Sequence, residues 1–176
     1  MDAITAADED LLLDLLNTTP VVDGVPADTL DGAEAGLRWL ADHGMPVSEE
    51  EWHALIGVRA ALQGVVRGDR PAHAAAPFVE GVVYRAAIER GGEGEGVVWS
   101  LDAPEGRTAA ARAVLAWDAL RVSGPGRLRP CANPECRLFL IDRSKPNSAR
   151  WCSMAVCGNR MKARRHYQRS RDLPAR

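Results

Sequence analysis

The chain has 176 residues, 46% of them hydrophobic and 26% charged, which is the balance of a soluble globular protein with room for one core and a small appended module. No apolar run approaches the roughly 20 residues of a membrane-spanning helix, and the acidic start MDAITAADEDLLLDLL lacks the basic region of a secretory signal, so a cytoplasmic protein is expected, with no membrane partner. The net charge of −2 hides two opposite halves: residues 127–176 hold 13 Lys/Arg against 3 Asp/Glu, and residues 1–126 hold 9 Arg against 21 Asp/Glu.

Residues 6–17 suit an amphipathic helix, with Leu11, Leu12, Leu15 and Leu16 on one side and acids on the other. Asn17-Thr18-Thr19-Pro20 ends it, and 18–30 reads as loop. Asn17 itself is a candidate pocket residue; the blander reading is a side chain that bonds nearby backbone. Asp31 is placed to cap a helix over 32–43 that stops at Gly44. Ser48 and Glu51 have capping-box spacing and open a longer helix over 49–67. Trp52, Leu55, Ile56, Val58, Leu62, Val65 and Val66 fall along its apolar side. Residues 82–90 and 97–101 alternate around the glycine-rich segment 91–96 and predict a β-hairpin, with a helix over 79–90 the competing reading. No Lys follows those glycines and two Glu interrupt them, which argues against a phosphate loop. A further helix is expected over 104–122, ended by Ser123-Gly124-Pro125-Gly126. No Ser/His/Asp cluster or carboxylate pair is placed for catalysis, so an enzyme is not expected.

All four cysteines lie near the C-terminus, in two pairs, Cys131/Cys136 and Cys152/Cys157. Four residues separate the partners of each pair and fifteen separate the pairs. Two such chelating loops can close a tetrahedral thiolate shell around one Zn²⁺. Asn133-Pro134 favours a turn in the first loop, and Gly158 allows close backbone approach after the second. In a reducing compartment disulfides are the weaker reading. Residues 138–141 read as a short strand, and Trp151 is placed to pack on the second pair. The last pair is expected at the start of a basic helix over 157–170, where the helix dipole favours an anionic centre.

The residues CGNR at 157–160, preceded by WCSMAVCGN and followed by KARRHY, resemble the CGNR zinc-finger family of bacterial proteins. Leu12-Leu13-Asp14-Leu15-Leu16-Asn17-Thr18 resembles the start of the ABATE domain that precedes that finger in the family, and Phe139, Asp142 and Ser144 resemble a further family stretch. The resemblance implies one structural zinc held by Cys131, Cys136, Cys152 and Cys157, and a transcription regulator. The fold expected is mainly α (α+β): a helical N-terminal domain over 1–124 with one β-hairpin, a candidate ligand sensor, and a treble-clef-like finger over 127–171.

The basic segment is a candidate surface for DNA or RNA through Arg143, Lys145, Arg150, Arg160, Lys162, Arg164, Arg165 and Arg169. The competing readings are a solubilising tail and a tail docked on the acidic domain. A single finger reads little sequence, so a homodimer is a natural partner arrangement, although no heptads announce one. Removal of zinc is expected to melt the finger and leave 1–122 folded.

Overall fold

The computed structural model describes residues 5–89 and 96–172. Five helices carry the fold: α1 (Ala6–Leu16), α2 (Ala33–Asp42), α3 (Glu49–Arg67), α4 (Thr108–Ser123) and α5 (Asn159–Asp172). Three antiparallel hairpins join them: β1–β2 (Val21–Val22, Val25–Pro26), β3–β4 (Val83–Glu89, Gly96–Asp102) and β5–β6 (Leu128–Pro130, Phe139–Ile141). A 3₁₀ turn, Ala72–Phe78, follows α3.

The core lies where α1, α3 and α4 meet. Leu12, Leu15 and Leu16 of α1, Leu55, Val58 and Leu62 of α3, and Ala109, Ala110 and Ala113 of α4 are fully buried there. The small side chains of α4 let the three helices approach closely. α2 packs on α3 through Gly36, where an added Cβ would fall 2.0 Å from the Trp52 ring. That ring is further fixed by its Nε1–H, which donates to the Leu30 carbonyl at 3.2 Å.

α3 begins and ends as expected. Ser48 accepts from the Glu51 N–H at 3.2 Å, and Gly68, with φ of 84°, closes the last turn. The capping-box reading of Glu51 needs correction. Its carboxylate reaches across to the start of α4 and accepts from the Thr108 and Ala109 N–H groups at 2.7 and 3.0 Å. α2 is preceded by Gly32 with φ of 91°, so Asp31 does not cap it. α4 begins at Thr108, later than expected, because Pro104 to Arg107 form a turn through Gly106 at φ of 73°.

The β3–β4 hairpin is in the expected place, with Ala86 opposite Trp99 and Ile88 opposite Val97. Its apolar face is uncovered toward the tip, where Ile88, Val97 and Trp99 are exposed. Most of the glycine-rich segment, residues 91–95, lies outside the described residues. The β1–β2 hairpin lies in a stretch expected to be loop; Asp23 and Gly24, both at positive φ, form its two-residue turn.

The C-terminal hairpin β5–β6 joins the helical core. Phe139 is 1% exposed and belongs to the same buried cluster as the leucines of α1 and α3, with Leu128 and Ile141 packed against it. The Arg67 guanidinium lies over the Phe139 ring, 4.4 Å from its centre, and donates to the Arg137 carbonyl at 2.8 Å. No described helix is long and apolar enough to cross a membrane.

Candidate metal centre

The first cysteine pair brackets the turn between β5 and β6. Cys131 N–H donates to the Leu138 carbonyl at 2.9 Å, which closes the loop, and Cys136 N–H donates to the Asn133 carbonyl at 2.9 Å, which folds it. The second pair sits at the start of α5. Ser153 accepts from Val156 N–H at 3.3 Å and starts a π-type turn, Met154–Gly158, that presents Cys157 before α5 begins at Asn159. The helix therefore starts two residues later than expected. Space at Gly158 is tight: a Cβ there would fall 2.8 Å from the sulfur of the exposed Met154 side chain and 3.2 Å from the Trp151 ring. The Trp151 ring lies against Gly158, the residue that follows Cys157.

The four Sγ atoms lie within 4.8 Å of one another, with Cys136–Cys152 and Cys152–Cys157 both at 3.7 Å. A tetrahedron of thiolates at the usual Zn–S length of about 2.3 Å has edges of about 3.8 Å. A disulfide needs sulfurs at about 2.05 Å, and all four cysteines are free. N–H groups surround the cluster: Leu138 N–H approaches Cys136 Sγ, Cys152 N–H approaches Cys131 Sγ, and the buried Asn133 amide approaches Cys157 Sγ, each at 3.5 Å. Such donors offset the negative charge of a four-thiolate centre. The donor set fits one structural Zn²⁺, closed to further ligands.

The thiols feel the site unequally. Burial pushes Cys136 up to about 11 and raises Cys152 as well. Cys157 is drawn down: burial opposes this, but the Asn133 amide and the neighbouring thiols outweigh it. Asn133 thus does more than form the turn expected of it, and its place between two ligands is the sequence signal for that role.

Asp142 organises the loop between the pairs. Its carboxylate is 1% exposed and accepts from Ser144 N–H at 2.9 Å, Ala149 N–H at 2.7 Å and the Arg129 guanidinium. The Ser144 and Ala149 N–H groups and the Arg129 charge hold Asp142 at about 2 against its desolvation. Arg129 also donates to Asn147 Oδ1 at 2.7 Å.

The structure separates the eight basic residues singled out in the sequence. Arg143 pairs with Asp10 at 2.8 Å and lies 3.7 Å from Glu9, on the helical domain. Arg164 pairs with Glu135 within the finger. Arg150 covers the Trp151 ring at 5.2 Å. Arg160 faces a cleft of about 630 Å³ shared by Glu135, Arg137 and the β1–β2 turn. Lys145 is exposed in the loop. Lys162, Arg165 and Arg169, with His166, line one shallow cavity of about 240 Å³ on α5. Asn17 is not a locally bonded side chain. Its Nδ2 donates to the Phe139 carbonyl at 3.3 Å, and its Oδ1 accepts from Phe139 N–H at 2.7 Å.

Two family models match the chain in this order. The ABATE model, described as "Putative stress-induced transcription regulator", matches residues 9–124, and the CGNR zinc finger model matches residues 127–170. No curated protein matches. The zinc-fitting cysteines all fall inside the second match and Asn17 inside the first, so the chain belongs to the ABATE family and carries a CGNR zinc finger behind its ABATE domain.

Proposed function

We propose that the protein is a cytoplasmic, zinc-dependent transcription regulator that binds nucleic acid through α5, and not an enzyme. The observation that carries this reading is the side of α5 formed by Lys162, Arg165 and Arg169. These cations are exposed and have no acidic partner among the described residues, on a helix whose start is fixed by the metal centre. Arg143 and Arg164, by contrast, are spent on internal ion pairs. The closed four-cysteine shell offers no open position for metal catalysis, which favours a scaffold role for the zinc.

A ligand response is the second part of the reading. The cleft between the β1–β2 turn and the finger places Arg137 and Arg160 beside Asp23 and Glu135, so a small charged ligand there would touch both domains. A homodimer is the third part, supported by the uncovered apolar face of the β3–β4 hairpin. Titration of the zinc-loaded chain against duplex DNA and single-stranded RNA at low salt tests the central reading. Binding lost on chelation is the expected result. A zinc-loaded chain that binds neither sinks it and leaves the basic helix as a solubilising surface.

A further inference from the structure

An α-helix turns about 100° per residue, so residue identity along α5 gives the side on which each group stands. The inward side is marked by half-buried Met161 and by Arg164, tied to Glu135 of the finger. Away from them, within an arc of about 100° whose Tyr167 edge lies nearest Arg164, fall Asn159, Ala163, His166, Tyr167 and Ser170. All five are exposed, and none is Lys or Arg. The cations flank this ridge: Lys162, Arg165 and Arg169 follow on one side, and Arg160 lies on the other. A merely polycationic helix has no reason to keep Lys and Arg out of one continuous exposed arc.

We propose that α5 enters the major groove of duplex DNA and reads base edges with His166, Ser170 and Asn159, while the flanking cations hold the two phosphate walls. The inference rests on the nucleic-acid reading above and adds to it which side chains choose the sequence. Ala163 has only a methyl group, so the ridge can approach the bases closely. The imidazole of His166, the hydroxyl of Ser170 and the amide of Asn159 supply donors and acceptors of the kind that distinguish base pairs. In the free protein Ser170 Oγ turns back to the His166 carbonyl at 3.0 Å, and Asn159 Nδ2 turns back to the Ala155 carbonyl at 3.2 Å. Both are single, exposed bonds that a base edge can replace.

Geometry favours DNA over RNA. A helix about 10–12 Å across fits the roughly 12 Å major groove of B-DNA, whereas the A-form major groove is too narrow and deep for it. The finger does not block entry, because every described side chain from Arg165 to Ser170 is exposed. The shallow cavity among Lys162, Arg165, His166 and Arg169 is of a size to seat a backbone phosphate beside the ridge.

The test is selection by the zinc-loaded full chain from a pool of duplexes with a randomised centre, repeated with H166A, S170A and R165A, with zinc content checked for each. The expected result is an enriched motif for the parent chain. H166A and S170A should still bind mixed-sequence duplex but lose about tenfold of the preference at one position, since one good base contact discriminates by about 1–3 kcal/mol. R165A should weaken all duplexes and leave the motif intact. Duplex binding with no enriched motif, or a motif that H166A and S170A leave unchanged, overturns the inference while the nucleic-acid reading stands. Preference for single-stranded RNA over every duplex also overturns it. Loss of all nucleic-acid binding in the zinc-loaded chain overturns both.

Discussion

Asn17 and Phe139, 122 positions apart, meet in a two-point amide pair: the Asn17 side chain donates to the Phe139 carbonyl and accepts from its N–H. The pair adds an amide side chain to strand β6, as a neighbouring strand would. It stands at the C-terminal cap of α1, where Asn17 N–H already closes on Leu13 and Asp14. The last turn of α1 is thereby joined to the strand that follows the first two cysteines. Asn17→Ala should leave Phe139 N–H without its partner, at a cost of about 1–3 kcal/mol. Urea denaturation measures that loss. The same variant should surrender zinc to a chelator faster, because β6 carries the exit of the Cys131–Cys136 loop. An unchanged zinc off-rate would mean that the pair stabilises the body without supporting the finger.

Glu51 performs a similar service for α4. Its buried carboxylate holds two N–H groups at the helix start, where four such groups lack partners within the helix. Glu51→Ala should cost about 3 kcal/mol, by orphaning two donors and removing an anion from the positive end of the dipole. Glu51→Gln keeps one acceptor and the shape, so it should recover part of that loss in the same denaturation curve.

Both relationships show where the sequence could be read and where it could not. The ends of α3 were legible because Ser48 and Gly68 act within four residues of the groups they satisfy. The cysteine quartet was legible because chelation constrains spacing. Glu51 misled because capping-box spacing also suits a carboxylate that turns outward to another helix. Asn17 was visible as a motif residue, but its partner lies at the far end of the chain and no local pattern points there. Asp23-Gly24 was a readable turn signal hidden by a hairpin only two residues long on each side. The partition of the basic residues needed acids from other segments: Asp10 for Arg143 and Glu135 for Arg164.

Zinc removal should be felt beyond the finger. Phe139 and Leu140 are buried, and Phe139 fills the core shared with α1 and α3. Chelation should therefore lower the melting temperature of the whole chain, contrary to a finger that melts alone. Scanning calorimetry with and without chelator distinguishes one shifted transition from an unchanged one. Zinc affinity should also rise steeply with pH. The Cys136 thiol is raised to about 11 and Cys152 is raised too, so both enter the site by releasing protons near neutrality. Proton release measured in two buffers of different ionisation heat checks this.

Asp142 gives a separate pH signature. Its folded value of about 2 lies below that of an ordinary Asp, so its contribution is complete above about pH 4–5 and declines as the pH falls toward 2. Asp142→Asn removes the charge and weakens the partnership with Arg129. The stability gap between parent and variant should be constant near neutrality and should close in acid. A gap that stays constant down to pH 2 would rule out the carboxylate charge as its source.

The final prediction divides the cations by what they already touch. Each phosphate contact to B-DNA contributes about −0.9 to the slope of log K against log salt. Lys162, Arg165 and Arg169 are available on one side of α5, so replacing all three with Ala should flatten the slope by about 2.7 and weaken binding to every sequence. Arg143 and Arg164 are engaged by Asp10 and Glu135. Their Ala variants should leave the slope within about half a unit. Their ion pairs are exposed, so the stability lost should also be small, under about 1 kcal/mol each. Fluorescence anisotropy across a salt series reads all of these. If Arg143→Ala flattens the slope as much as Arg165→Ala, the pair with Asp10 opens on binding. The acidic helix α1 would then be competing with nucleic acid for the finger.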